Sequence, residues 1–171
     1  MVGLSGRATR YIQADVFTAS YRLSGKLGVG TTGIMGMFGE SDISVVDLQD
    51  IYVSRIIEPG AILAHFGQAV LPKTAVQLII ALNRADLGPE KIVRGGLGGI
   101  VPYDAFIGTP DFEVRGTVEQ AGKFDPKVLL AGATGLQPVF EANVTSTRKS
   151  DVKYAGVAVL VNRKSIDFMA R

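Results

Sequence analysis

A gapless internal match constrains this chain of 171 residues more than any other feature of it. Tyr11 to Leu27, YIQADVFTASYRLSGKL, lies on Pro102 to Val118, PYDAFIGTPDFEVRGTV, so that Ala14 meets Ala105, Thr18 meets Thr109, Tyr21 meets Phe112 and Gly25 meets Gly116. A second block aligns Val46-Asp47-Leu48-Gln49 with Phe140-Glu141-Ala142-Asn143, and a third aligns IALNRADL, Ile80 to Leu87, with VLVNRKSI, Val159 to Ile166. Blocks that keep their order imply two copies of one small unit, each too short to bury its apolar face well alone. Residues 1–87 then form a first β-module with an insertion at 56–73, residues 88–99 a glycine-rich linker, and residues 100–171 a second β-module.

The first block of each copy reads as a hairpin. An apolar strand leads to a turn, Phe17-Thr18-Ala19-Ser20 or Gly108-Thr109-Pro110-Asp111, and period-two alternation follows in YRLSGKL and FEVRGTV. Glycine weakens a strand interior unless the chain must bend or another backbone must come close, so Gly25 and Gly116 mark such points. In the second copy Asp125 caps a short helix and Pro126 suits its first turn; in the first copy Gly36 and Gly39 limit the corresponding helix. Strands are expected at Ile43–Arg55, Thr74–Leu82, Pro138–Arg148 and Tyr154–Val161. The fold expected is mainly β: two tandem small antiparallel barrel-like modules forming a pseudo-dimer, each with about five strands and one short helix. Asn83 should superpose on Asn162, and Leu23, Leu27, Val46, Ile80, Leu82 and Val114 should be buried, with Val118, Val159 and Val161 beside them.

Composition narrows the function classes. The net charge is +2, and division at Gly99 leaves nine basic and eight acidic residues on each side, which disfavours bulk binding to nucleic acid or anionic lipid. The chain has no cysteine, which removes disulfides, thiolate metal sites and cysteine nucleophiles together. The opening MVGLSGRATRYIQ lacks the apolar run of a signal peptide, and the apolar run around Leu78–Leu82 is far below the ~20 residues a membrane span needs. With 47% hydrophobic residues the chain is nonetheless apolar for a small monomer, and part of its surface is expected to be covered by a partner.

The most suggestive motif fails on context. GVGTTG, Gly28 to Gly33, matches a dinucleotide-phosphate fingerprint, but such a fingerprint needs a full helix after it and a parallel strand beyond. Here the preceding strand belongs to an antiparallel hairpin, and the second copy has EQAGKF at this place, so the stretch reads as a strand-to-helix turn. His65 is the only histidine and anchors no triad or metal site by itself. Ser5, Ser41 and Ser165 lack a nucleophile elbow, and the pairs Asp47/Asp50 and Glu40/Asp42 read as solvent-facing strand or turn residues. RGGLGG, Arg94 to Gly99, reads as linker. No enzyme activity, catalytic residue, metal ligand or cofactor is expected.

YRLSGKL followed by a short helix, VVDLQDI, and a closing L-N-R-x-x-L or V-N-R-x-x-I resembles a family of small bacterial β-domains, present twice and covering most of the chain. The layout is also similar to the Sm-like barrel, with Gly25 and Gly116 in second strands and Asn83-Arg84 and Asn162-Arg163 at final turns. Two functions follow. One is a non-catalytic structural or assembly protein, an accessory subunit of a larger complex and a peripheral one if that complex is membrane-bound, sited in the cytoplasm or on the cytoplasmic face of the membrane. The alternative, implied by the Sm-like resemblance, is single-stranded RNA binding through Arg84, Arg163 and Lys164, although no clear counterpart of the Asp and Asn of the Sm RNA-binding motif is present. For the first, the partner-binding residues are Ile62, Leu63, Phe66 and Val70 in EPGAILAHFGQAVLP, Glu58 to Pro72, whose spacing lines one face if the segment is helical. Truncating an expected core residue, as in Leu27→Ala, should cost ~2–5 kcal/mol in chemical denaturation.

Overall fold

A computed structural model of the protein describes residues 10–94, 98–131 and 135–171; Ser5 and residues 95–97 of the linker lie outside them. The first half supplies β1 (Arg10–Phe17), β2 (Tyr21–Val29), β3 (Val45–Arg55), β4 (Glu58–Pro72) and β5 (Leu78–Ala81). The second supplies β6 (Ile100–Gly108), β7 (Phe112–Ala121), β8 (Leu136–Ser146), β9 (Lys153–Asn162) and β10 (Phe168–Ala170). Among the described residues there are three short α-helices: α1 (Gly33–Gly39), α2 (Glu90–Arg94) and α3 (Pro126–Ala131).

Local chemistry sets the elements where expected. Thr18 Oγ1 accepts from Tyr21 N at 3.0 Å, and Thr109 Oγ1 accepts from Phe112 N at 3.0 Å, so one threonine closes each hairpin turn. Asp125 Oδ1 accepts from Lys127 N at 2.9 Å, capping α3 ahead of Pro126.

The strands form one mainly β assembly, a single antiparallel sheet in the order β10-β6-β7-β8-β9-β5-β1-β2-β3-β4. The expectation of barrel-like modules is corrected here: β4 and β10 end the sheet without pairing with each other, so it is not a closed barrel. Ten strands stay in one sheet because β5 pairs on one side with β1 and on the other with β9. At that junction Leu78, Ile79, Ile80 and Ala81 lie across from Val161, Leu160, Val159 and Ala158. These eight residues are at most 7% exposed, because the sheet has a core on each face there. Ile79, Ala81, Ala158 and Leu160 join one core with Val16, Leu27 and α1; Leu78, Ile80, Val159 and Val161 join the other with Phe112, Val114 and Val139. Phe17 and Ile56 from the first half enter the second half's core, and Leu136 and Phe140 enter the first's.

A paired bend curls each half around its core. Between Ser24↔Tyr52 and Lys26↔Gln49, two residues of β3 oppose Gly25 alone, and Asp50 takes φ 53°. Between Arg115↔Asn143 and Thr117↔Phe140, two residues of β8 oppose Gly116 alone, and Glu141 takes φ 47°. A Cβ on Gly25 would stand 2.5 Å from Asp50 O, and one on Gly116 would stand 2.7 Å from Phe140 O. Each glycine thus admits the bulged backbone of its neighbour, as expected from its place in a strand.

Three finer expectations are corrected. β5 adjoins β1 as β10 adjoins β6, whereas β9 adjoins β8, so the IALNRADL and VLVNRKSI blocks begin in strands that hold different places in their halves and are not superposed counterparts. Asn83 and Asn162 consequently sit at opposite ends of two antiparallel strands; their blocks look alike because both strands are buried on both faces and read as apolar runs. The bulges equate Asp50 with Glu141, which shifts the Val46–Gln49 match by three residues. Leu82 is 59% exposed because β5 ends at Ala81, while Leu27, Val46, Val114 and Val159 are fully buried.

Gly25→Ala should lower stability by ~2 kcal/mol or more, about 4–8 °C in melting temperature, since backbone rather than a movable side chain occupies the space. Gly39→Ala, with no atom within 4 Å of the added Cβ, is the control and should be neutral or stabilising.

Candidate functional site

β4 is an outer strand. β3 pairs along one side of it, from Val45↔Pro72 to Arg55↔Glu58, and no strand among the described residues pairs along the other. Gly60 to Leu71, GAILAHFGQAVL, contains no Asp, Glu, Lys or Arg. Natural edge strands are usually blunted by charge, proline or brevity, and this one has prolines only near its ends. Ile62, Leu63, Phe66 and Val70 are 57, 47, 52 and 55% exposed. They do not form the helical stripe that their spacing suggested, because the long β3 offers the segment a full-length pairing partner. Val70 lies across from Asp47 and Phe66 across from Ile51, while a register shift at Leu63 brings Ile62 across from Ser54, so the apolar side chains flank both faces of the edge.

His65 is exposed in the middle of this strand. Its Nε2 lies 2.6 Å from Asp50 Oδ1, its ring stacks on Tyr52 with centroids 4.4 Å apart, and Lys26 Nζ is 4.0 Å from Asp50 Oδ2. The bulge turns Asp50 out to meet the histidine. With His65 and Asp50 both about half exposed, their contact is a surface hydrogen bond of little energetic weight. Among the described residues no group of three or more His, Cys, Asp or Glu could hold a metal ion.

The arginines of the RNA reading are not brought together on a common face. Arg84 donates to Glu90 Oε1 at 3.0 Å and to Glu119 Oε2 at 2.7 Å, and its guanidinium lies 4.0 Å from the centre of the Phe140 ring. Arg94 Nε is 3.0 Å from Glu119 Oε2. The hydrogen bonds that Arg84 donates to the two carboxylates raise its pKa above its ordinary value and hold those of Glu90 and Glu119 below theirs. The cation is already neutralised, and it fastens the segment between the halves onto β7 and β8. Arg163 follows β9, where burial lowers its pKa, and Lys164 is exposed beside it.

The GVGTTG turn also serves packing. Gly33 has φ 70°, and a Cβ there would lie 2.5 Å from the backbone N of Gly88, so two glycine backbones meet where α1 begins. β3, reached through α1, pairs antiparallel with β2, unlike the parallel strand of a dinucleotide site. An open groove of about 410 Å³ lies between β8 and β9, with Glu141 as the only ionisable residue in its lining.

Sequence reasoning missed a buried polar staple at the β5–β9 junction. Gln77 Nε2 donates to Asp111 Oδ2 at 2.7 Å, Thr109 Oγ1 to Gln77 Oε1 at 3.1 Å, and Asn162 Nδ2 to Val76 O at 2.8 Å, while Arg148 pairs with Asp111 at 2.7 Å. Nothing in the linear pattern couples Gln77 to Asp111, since 34 residues separate them. No helix among the described residues is long and apolar enough to cross a membrane. No family model, curated protein or solved structure matches the chain.

Arg84→Met should destabilise the protein at neutral pH by ~1–3 kcal/mol, chiefly through Glu119, which is left with less partnering in a site only 15% exposed. Because the folded-state carboxylate pKa values are depressed, this contribution is present above the ordinary carboxylate range and is lost as pH falls through the depressed values. The difference between variant and wild type in urea denaturation should therefore shrink below about pH 4.

Proposed function

We propose that the protein is a non-catalytic assembly subunit made of two tandem five-strand modules, and that it joins its complex through the β4 edge. The order β5-β1-β2-β3-β4 recurring as β10-β6-β7-β8-β9 supports the modular part, as do the matched hairpin threonines and the Gly25/Asp50 and Gly116/Glu141 bends. The docking part is carried by one observation: β4 offers twelve consecutive residues, 60–71, without Asp, Glu, Lys or Arg, on an edge that no strand among the described residues pairs, with apolar side chains on both faces. A partner strand laid along such an edge gains backbone hydrogen bonds, and the exposed apolar groups add buried area. A peripheral place on a membrane-bound complex requires nothing beyond this edge.

The test replaces Ile62 and Phe66 together by lysine in the full chain. Both are half exposed, so the melting temperature should fall by no more than about 2–4 °C. In an extract of the producing cells, sized under native conditions, the wild-type chain should run in a species well above 18.1 kDa and the variant at the size of the free chain. A folded variant that stays in the larger species would remove β4 from the interface, and an unfolded one would make it part of the core.

A further inference from the structure

We infer that the strand laid on β4 is β10 of a second copy of this chain, so that the protein assembles head to tail into a continuous sheet. The inference rests on the tandem-module reading, because the precedent for the contact is the junction inside the molecule.

In the second module β9, its fourth strand, is covered on its free side by β5, the fifth strand of the first module. The fourth strand of the first module, β4, has no such cover among the described residues, and neither has the outer side of β10, the fifth strand of the second module. Each molecule therefore ends in one half of a contact that it already makes once internally. Joining β10 of one copy to β4 of the next repeats that contact without a new type of interface.

The register follows from two matched connections. A 3₁₀ turn at Lys73–Ala75 joins β4 to β5, and another at Arg163–Ser165 joins β9 to β10. After them Gln77 N donates to Phe17 O, and Asp167 N donates to Gly108 O. Leu78 then lies across from Phe17, and Phe168 across from Gly108. β5 and β10 thus correspond at a spacing of ninety residues, as do the ends of β4 and β9. Transferring the observed pairs Leu78↔Val161, Ile79↔Leu160 and Ile80↔Val159 puts Phe168, Met169 and Ala170 of one copy across from Leu71, Val70 and Ala69 of the next.

The side chains on these strands fit that role. Phe168 and Val70 are 50 and 55% exposed, whereas Leu78 and Leu160, their internal counterparts, are fully buried. The helices differ in the same sense: α1 buries Met37 and Phe38 in a core to which β8 and β9 contribute, while α3 has no buried residue and leaves Val128 62% exposed. A β4 edge arriving from another copy would bring its outward face to the open side of the second module, as β9 does for the first. Pro72 stands where Asn162 stands in the internal junction and cannot supply the two donors that Asn162 gives to Gln77 O and Val76 O. The contact between copies is accordingly the weaker one, and assembly depends on concentration. It is heterologous, so it propagates into rings or filaments rather than stopping at a two-fold dimer.

Purified wild-type chain in sedimentation velocity should pass from 18.1 kDa to multiples of that mass as concentration rises. Val70→Lys and Phe168→Lys, each checked by thermal melting, should both stay monomeric alone and form a capped dimer when mixed, because each retains the end that the other lacks. The chain has no native cysteine, so Val70→Cys mixed with Met169→Cys under oxidised glutathione should give a mixed disulfide of doubled mass. That readout stands even where a lysine variant fails to fold. A Val70→Cys homodimer together with self-association of Phe168→Lys would overturn the inference in favour of a symmetric β4–β4 pair. A wild-type chain that stays monomeric at every concentration, while its native-extract species still depends on Ile62 and Phe66, would overturn self-assembly and leave β4 docking standing. Loss of both dependences would overturn the docking reading as well.

Discussion

Backbone pairing between Leu78–Ala81 and Ala158–Val161 is the interaction on which the rest of the structure depends. Both strands are buried on both faces, so every polar group of their backbones must find a partner in the sheet, and every side chain must find a core. One core lies on each side. The first is closed by β1, β2, β3 and α1 and the second by β6, β7 and β8, and each half contributes residues to the core of the other. The halves therefore have a shared interior, and the polar staple of Gln77, Asp111, Thr109 and Asn162 holds the end of the junction with satisfied hydrogen bonds.

Curvature is supplied by two bends in which a glycine faces a left-handed residue on the adjoining strand. Asp50 and Glu141 adopt a backbone conformation that is uncommon for residues with a side chain, and the surrounding ladder holds them there. The bends reset the alternation of each strand. Leu48 and Ile51 enter the same core although they are three residues apart, and Val139 and Ala142 do likewise. At the first bend the reset also turns Asp50 toward His65 on β4, and the same place in the second half is the open groove beside Glu141.

Several charges of the molecule hold its own segments together. Arg84, Glu90, Glu119 and Arg94 bind the connection between the halves to the second half, and Arg148 meets Asp111 at the junction. The edge at β4 is treated oppositely, with no charge over its central residues. Natural sheets usually blunt a long outer strand with charge, and this one carries none between Gly60 and Leu71.

Much of the local structure could be read from the residues themselves. Alternation in YRLSGKL and FEVRGTV, the threonine turns, the Asp125 cap and the glycine positions are short-range effects, each decided within a few residues of chain. What only the tertiary structure decided was which strands adjoin. IALNR and VLVNR look like counterparts because burial on both faces imposes the same apolar run on each, and only pairing reveals that their strands are neighbours. Glu58–Pro72 has a spacing compatible with a helix, and it became a strand because β3 presented an unpaired edge of matching length. Sequence determines which residues prefer to be buried or bent; the hydrogen-bonding partner, contributed from a distant part of the chain, determines where they go.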